Sequence, residues 1–422
     1  MGFQDEPMNI HYPKASFDVL KLDEDIDINK LRKNGYFHSF LTRKSSISIQ
    51  KLHKNRARFL KDSLQLLSHS KNTRPLKSIS IDIQKTPFTP QERMKMIYFF
   101  RKIKNLTKFQ FIKRWDIVIT NPFLHRLSQC ILRFSSLREF TFTLYGCNEI
   151  QTINCIRLAK ALSRNKTLES IDLCLIGCSK VNIKGIQCLF SQIGKLEHLK
   201  EIRLDLSNLM CLKEKPSYLD FEKALGKLGK LEKLTLSMSH ANFEERGIQS
   251  LSKSLSHFKT LKTLELGLGF CPLSVTGISS LSESLSVLTD LEELSLEFWS
   301  CTNVTDEGVS SLAKSLKNLT CLKRLELNFS RCQEVADWGF CAIFNSISHM
   351  KDLEKLDLFL FTCQIGECGV SDLKDLLLGM KKLKSIEINL GGCALIHDET
   401  VYDLKQKFEE RSGSKDILKV HR

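Results

Sequence analysis

The 422-residue chain contains no apolar run of even about 18 residues, and a membrane-spanning helix needs about 20. Residues 1–14 hold no apolar core of a secretory signal, so export is not expected. Met1 and Gly2 would suit myristoylation, but Glu6 stands where Ser or Thr is required, and no cysteine lies near for a second lipid. The motifs G-x-x-x-x-G-K-[ST], H-E-x-x-H, G-x-S-x-G and G-x-G-x-x-G are all missing, and the string that starts at Gly226 lacks the phosphate-loop spacing. The 11 histidines are scattered and never share a repeated column with cysteine or carboxylate. No enzyme activity, cofactor, metal or small-molecule substrate is therefore expected. No C-x-x-C pair occurs among the 15 cysteines, and an odd number of thiols without a signal points to a reducing, cytoplasmic compartment.

What the chain does contain is a repeated unit, clearest at 291–322. Leu291, Leu294, Leu296 and Phe298 stand at offsets 0, 3, 5 and 7, and three of them alternate as along a strand. Cys301 follows at offset 10, and Val309, Leu312 and Leu316 then recur at helical spacing. The same ruler restarts at Leu76, Leu106, Leu137, Leu168, Leu199, Leu231, Leu261, Leu291, Leu322, Leu353 and Leu383, with gaps of 30 to 32 residues. Eleven copies at so constant a period predict a solenoid of stacked strand–helix units.

The spacing resembles leucine-rich repeats, and the half running from Cys through Val-Thr-Asp-Glu-Gly to Leu-Ala resembles the ribonuclease-inhibitor-like and cysteine-containing subclasses. The resemblance covers about 76–411. It implies an α/β horseshoe with a parallel concave sheet and convex helices, and it is nearly silent on function. Similar repeats often follow an F-box, but no segment of that kind is found in 1–50. Cysteines at offset 10 (Cys147, Cys178, Cys271, Cys301, Cys332, Cys363 and Cys393) form a column in the turn after each strand. There a buried thiol would serve the backbone of the turn. A glycine near the helix start, as at Gly339 and Gly369, would permit close backbone approach. The fifth unit has Pro216 instead and no column cysteine, so an irregularity is expected around 207–220.

Charge divides the chain more sharply than composition does. Residues 1–29 read as an acidic tail of net −5, and 30–75 as a basic cap with a degenerate repeat, in which SISI at 46–49 echoes SISI at 78–81. Residues 76–411 form the repeats and 412–422 a short tail. Between 30 and 136 stand 24 Lys plus Arg against 4 Asp plus Glu, whereas 137–422 holds 37 of each sign. This basic shoulder (Lys51, Lys54, Arg56, Arg58, Lys61, Arg101, Lys102 and Lys104) would suit an acidic protein surface or tail.

Parallel strands lie about 4.8 Å apart and packed helices about 8–10 Å, so the array must bend with its strands inside. Offsets 4 and 6 then line the inner face with Asp82, Asp172, Asp205, Glu265, Glu297, Glu326, Asp357 and Glu387, and Arg203 is the only Lys or Arg in those columns. Tyr145, Trp299, Phe359 and Phe361 stand at offset 8 or nearby. Aromatics beside charges on a displayed row are hot-spot material. An open row is a poor place for a raised carboxyl pKa. The expectation is a non-enzymatic interaction scaffold, a structural subunit of a cytoskeletal or ciliary assembly, whose acidic face takes a basic or mixed protein segment. The alternatives are an RNA- or ribosome-associated protein that uses the basic region and a ubiquitin-ligase substrate adaptor.

Overall fold

The computed structural model describes residues 20–21, 46–49, 77–83, 90–103, 105–113, 119–213, 219–242, 245–414 and 416–422. Its strands in chain order are β1 Leu20–Lys21, β2 Ser46–Ile49, β3 Ser78–Ile83, β4 Lys108–Lys113 and β5 Glu139–Leu144. They continue as β6 Ser170–Cys174, β7 Glu201–Asp205, β8 Lys233–Ser237, β9 Thr263–Gly267 and β10 Glu293–Glu297. The last are β11 Arg324–Asn328, β12 Lys355–Phe359, β13 Ser385–Asn389 and β14 Leu418–His421. All pair in parallel in sequence order, so the described residues form a single α/β repeat solenoid. A helix follows each of β3 to β13, and from one repeat to the next the helices stack on their neighbours.

The ruler accounts for β3 to β13, and the SISI echo for β2, where Ile47 pairs with Ile79. Two strands fall where no copy of the ruler stands: β1 in the acidic segment and β14 in the expected C-terminal tail. At the C-terminus, Gly413 takes a left-handed conformation (φ 68°) that stops the last helix, Asp398–Ser412, and turns the chain back onto β13. Arg422 then fastens the end, donating to Asp398 Oδ1 at 2.7 Å and to the Cys393 carbonyl at 3.0 Å.

Core columns follow the leucine offsets. Leu294, Leu296 and Phe298 are all buried, as are Val309, Leu312 and Leu316 on the following helix. In the first repeats phenylalanine fills the strand columns, and Phe109 stacks on Phe140 at 5.7 Å while Phe111 stacks on Phe142 at 5.4 Å. Each such ring withdrawn from water contributes about 1.5–3 kcal/mol, which steadies the end where the ruler is least regular.

The turns explain the cysteines. Residue nine after each leading leucine is left-handed from Gly146 through Asn208, Phe270, Arg331 and Thr362 to Gly392, whatever its side chain. That geometry aims the backbone N–H at the next repeat, as Phe270 N donates to the Trp299 carbonyl at 2.9 Å. The buried thiol beside it donates to a carbonyl of the preceding repeat: Cys301 to Leu268 at 3.1 Å, Cys332 to Phe298 at 3.1 Å, Cys363 to Phe329 at 3.0 Å.

Helix starts are also served across repeats. Ala336 and Gly366 are N-cap residues without a capping side chain. Asp306 of the preceding repeat accepts from Ala336 N at 2.8 Å and Gly339 N at 2.9 Å, and Asp337 accepts from Gly366 N at 2.6 Å. A Cβ on Gly339 would stand 2.5 Å from Asp306 Oδ1, so this glycine is required by close approach. The expected irregularity is present: the helix that usually spans eleven residues is replaced by Met210–Lys213 and Phe221–Leu225. Between the latter and its neighbour, Gly194 touches backbone so closely that a Cβ would meet the Ala224 carbonyl oxygen at 1.6 Å.

Candidate functional site

The strands display their even-offset residues on the concave face, and the register fixes which carboxylates are neighbours. Glu326 pairs with Asp357, and Asp357 with Glu387, so three acids stand in one row across β11, β12 and β13. Glu265 lies in the same row, separated from Glu326 by Ser295. Glu297 stands two residues further along β10, opposite Asn328 and Gly267. Asp172 and Asp205 occupy β6 and β7, where Asp172 pairs with Arg203 and Asp205 with Cys174. Asp82 belongs to β3.

The face is less uniformly acidic than offsets 4 and 6 imply. Residues at offset 2 also point inward and bring cations. Lys233 reaches Glu265 at 3.2 Å and Lys355 holds Asp357 at 2.6 Å, while Arg203 of the offset-4 column also reaches Glu265 at 3.5 Å. Glu387 lies 3.3 Å from His421 on β14. Among the described residues no cation forms an ion pair with Asp172, Asp205, Glu297 or Glu326; Arg203 still favours the charged form of the first two and Lys355 that of Glu326, whereas only acids act on Glu297.

The row is also not the open surface that its sequence implies, and the expectation of unraised carboxyls fails. Strands about 4.8 Å apart let neighbouring side chains shield one another from water. Burial pushes the Glu297 carboxyl up to about 7, and Glu326, Asp205 and Glu265 act in the same direction. Burial pushes Asp172 up to about 6, against the pull of Arg203 and with Asp205 adding to the rise. Asp205, Glu326 and Asp357 are raised too, in each case first by burial. Asp357 is only 5% exposed, and its Oδ1 has no hydrogen-bond partner.

An aromatic corner closes the strand ends above Glu297. His240 stacks on Phe270 at 4.2 Å, and Trp299 meets Phe270 edge-on at 4.5 Å. Phe270 is 41% exposed although its backbone is left-handed, a conformation unfavourable for a bulky residue. The Trp299 indole lies over Gly269, where a Cβ would sit 2.1 Å from Nε1. That Nε1 is buried without a hydrogen-bond partner. Phe361 is half-buried over Gly391 with Arg331 5.8 Å from its ring, and Phe359 is half-buried beside Asn328 and Asn389. Tyr145 lies at the opposite end of the acid-lined groove. Gly269→Ala is expected to lever the indole off the backbone, shifting tryptophan emission to the red and weakening any ligand held at this corner by about tenfold. Unchanged emission from this variant would show that Trp299 is free to move.

A second charged feature runs along the flank at offset 1. From Arg138 to Lys384 the residues alternate strictly in sign: Arg138, Glu169, Lys200, Glu232, Lys262, Glu292, Lys323, Glu354, Lys384. Glu169 bridges Arg138 at 2.5 Å and Lys200 at 3.3 Å, and Glu292 bridges Lys323 at 2.6 Å and Lys262 at 3.9 Å. These pairs are exposed and each is weak, but alternation every repeat penalises any slip in register. The ladder's five cations and four acids leave a single net positive charge, so it offers a partner little field.

Of the expected basic shoulder, Arg101 and Lys102 end the helix Pro90–Lys102 on its exposed side, with Lys102 Nζ 4.6 Å from the Tyr98 ring centroid. Lys51, Lys54, Arg56, Arg58, Lys61 and Lys104 lie outside the described residues.

No protein-family model matches the chain, and no curated protein matches it. Among solved structures it is similar to a chain of the crystal structure of the yeast Rad7 and Elc1 complex, at 15% sequence identity and a TM-score of 0.41. That likeness covers 93% of this chain and 91% of the other. Among the described residues no helix is long and apolar enough to cross a membrane.

Proposed function

We infer that the chain is a non-enzymatic binding scaffold whose concave face takes a cationic segment of a partner protein. The observation that carries this reading is Glu297, half-buried, repelled by Glu326, Asp205 and Glu265 and in no ion pair, beside the aromatic corner of Trp299 and Phe270. Arginine or lysine side chains would relieve that repulsion and lie against the rings. Fluorescence anisotropy with labelled octa-arginine and octa-glutamate tests it. Saturable binding of the first alone, centred on Glu297, supports the reading, and equal or absent binding of both overturns it.

The same carboxyls set a pH dependence. Glu297 takes up a proton as pH falls through about 7 and Asp172 through about 6, so the face loses negative charge in that window. Binding of octa-arginine is expected to weaken by about tenfold or more between pH 8 and pH 5.5. Folding stability responds with the opposite sign. Both groups have folded-state values above the ordinary carboxylate range, so the folded chain holds more protons than the unfolded one between about pH 4 and 7. Stability therefore falls as pH rises through that interval. Denaturant midpoints across the same pH series check the sign.

The finer reading is a fixed subunit of a cytoskeletal or ciliary assembly, docked on an acidic tail through the basic shoulder. It is supported by the net +20 confined to 30–136. Co-sedimentation with microtubules against binding to a random RNA, at two salt concentrations, tests it. Loss of sedimentation when Lys54, Arg56, Arg58 and Lys61 are reversed in charge is the expected result. Preference for the RNA would favour the alternative.

A further inference from the structure

Lys113 is out of place. It stands at offset 7 from Leu106, a core column that later repeats fill with Leu144, Leu175, Leu206, Met238 and Leu268. Its side chain ends β4 inside the solenoid and the residue is only 2% exposed. Nζ lies 2.9 Å from the Sγ of Cys147, itself 4% exposed, in the turn after β5. Elsewhere the column thiol donates to the carbonyl of that offset-7 residue in the preceding repeat, as Cys271 does to Met238 at 3.5 Å. Cys147 instead meets the lysine ammonium, and its other neighbours are the Tyr145 carbonyl at 3.6 Å and the thiol of Cys178, the same station one repeat on.

We propose that Cys147 is a peroxide-responsive thiol, with Lys113 as its buried cation and Cys178 as its resolving partner, and that its substrate class is hydroperoxides. An ammonium in contact with a sulfur inside an apolar core is a stable arrangement when the sulfur carries the negative charge. The thiolate is the form that attacks peroxide. The environment agrees: the neighbouring Cys178 thiol and the Lys113 ammonium bring Cys147 down, although burial opposes them. Burial alone carries Cys271 and Cys332 in the same column up to about 12.

The chemistry closes without another reagent. The Cys147 thiolate attacks hydrogen peroxide, a sulfur–oxygen bond forms as the oxygen–oxygen bond breaks, and the leaving hydroxide takes a proton from Lys113 to depart as water. The Cys178 thiol, giving its proton back to Lys113, then attacks that sulfur. The disulfide forms, the sulfur–oxygen bond breaks, and hydroxide leaves with the returned proton as a second water. Two thiols lose two electrons and two protons, and one peroxide becomes two waters. The two turns lie against each other, since Gly146 N donates to the Ile176 carbonyl at 2.9 Å and a Cβ on Gly177 would stand 3.8 Å from Gly146 Cα, so the residues that follow, Cys147 and Cys178, are neighbours.

The test treats the full chain at pH 7 with one equivalent of hydrogen peroxide, quenches by alkylation and maps the peptides. The expected first product is a Cys147–Cys178 disulfide, formed at least about tenfold faster than oxidation at the equally buried Cys301 and Cys332. Lys113→Met, a residue this column already accepts at Met238, should fold and lose that advantage, whereas Lys113→Arg should keep most of it. Cys178→Ser should leave a sulfenic acid at Cys147 that dimedone traps. Wild-type rates in folded Lys113→Met, or oxidation of Cys301 and Cys332 as fast as that of Cys147, would overturn the proposal.

Discussion

Replacing Glu297 and Glu326 together by lysine is expected to weaken octa-arginine binding by about a thousandfold while leaving the solenoid folded. Truncating one partner of a close charge pair commonly costs about 2–5 kcal/mol, and about 4 kcal/mol already corresponds to that factor. Reversal goes further than truncation, because each lysine repels the ligand it formerly attracted. The fold should tolerate the change. Both side chains leave the concave face of β10 and β11, the flexible lysine stem can carry its ammonium into solvent, and Glu265, Asp205 and Asp357 would gain a cation in place of a like charge. Glu292→Lys on the flank, outside the concave face, serves as the control and should leave affinity unchanged. Calorimetry with circular dichroism decides the matter: retained affinity in a folded double variant would remove the acidic row from the account.

Gly194→Ala is expected to cost about 3 kcal/mol or more, although alanine is ordinarily the better residue near a helix end. The glycine has φ −61°, so alanine adopts its conformation without strain and the whole penalty is steric. Its Cβ would stand 1.6 Å from the Ala224 carbonyl oxygen and 2.8 Å from the carbonyl carbon. Backbone cannot rotate aside as a side chain does, so the helix Phe221–Leu225 would have to move. That helix is the shortened one of the irregular repeat, and in a solenoid each unit is held chiefly by its neighbours. A biphasic urea transition is expected, as the two halves of the array uncouple. Gly229→Ala, with nothing within 4 Å of the added carbon, should be near neutral. A single transition at the wild-type midpoint for Gly194→Ala would contradict the close contact.

The architecture was legible because period and parity act locally. Thirty-one-residue spacing and alternation at Leu294, Leu296 and Phe298 place every core column without knowledge of the partner strand. The acids of the concave face were legible for the same reason. Their neutralisation was not, because Lys233 and Lys355 sit at another offset and reach Glu265 and Asp357 only once strands are side by side. The flank ladder hid behind a sum: 37 charges of each sign in 137–422 give zero whether they alternate or not. Reading offset 1 as a column would have found it. The aromatic corner escaped because His240 and Phe270 are left-handed, and in that conformation the strand's in–out alternation no longer tells which way a side chain points. β14 escaped because four residues after a glycine turn carry no periodic signal of their own.

The most direct test is to count protons while the concave face is filled. Octa-arginine is titrated into the full chain at pH 7 in two buffers of different ionisation enthalpy, for wild type and Glu297→Gln. With Glu297 near half-protonated in the free chain, cation binding should release about half a proton per peptide, and the glutamine variant should release almost none. Binding without proton release, or the same release from Glu297→Gln, would contradict the claim that this face holds its carboxyls poised for a cationic partner.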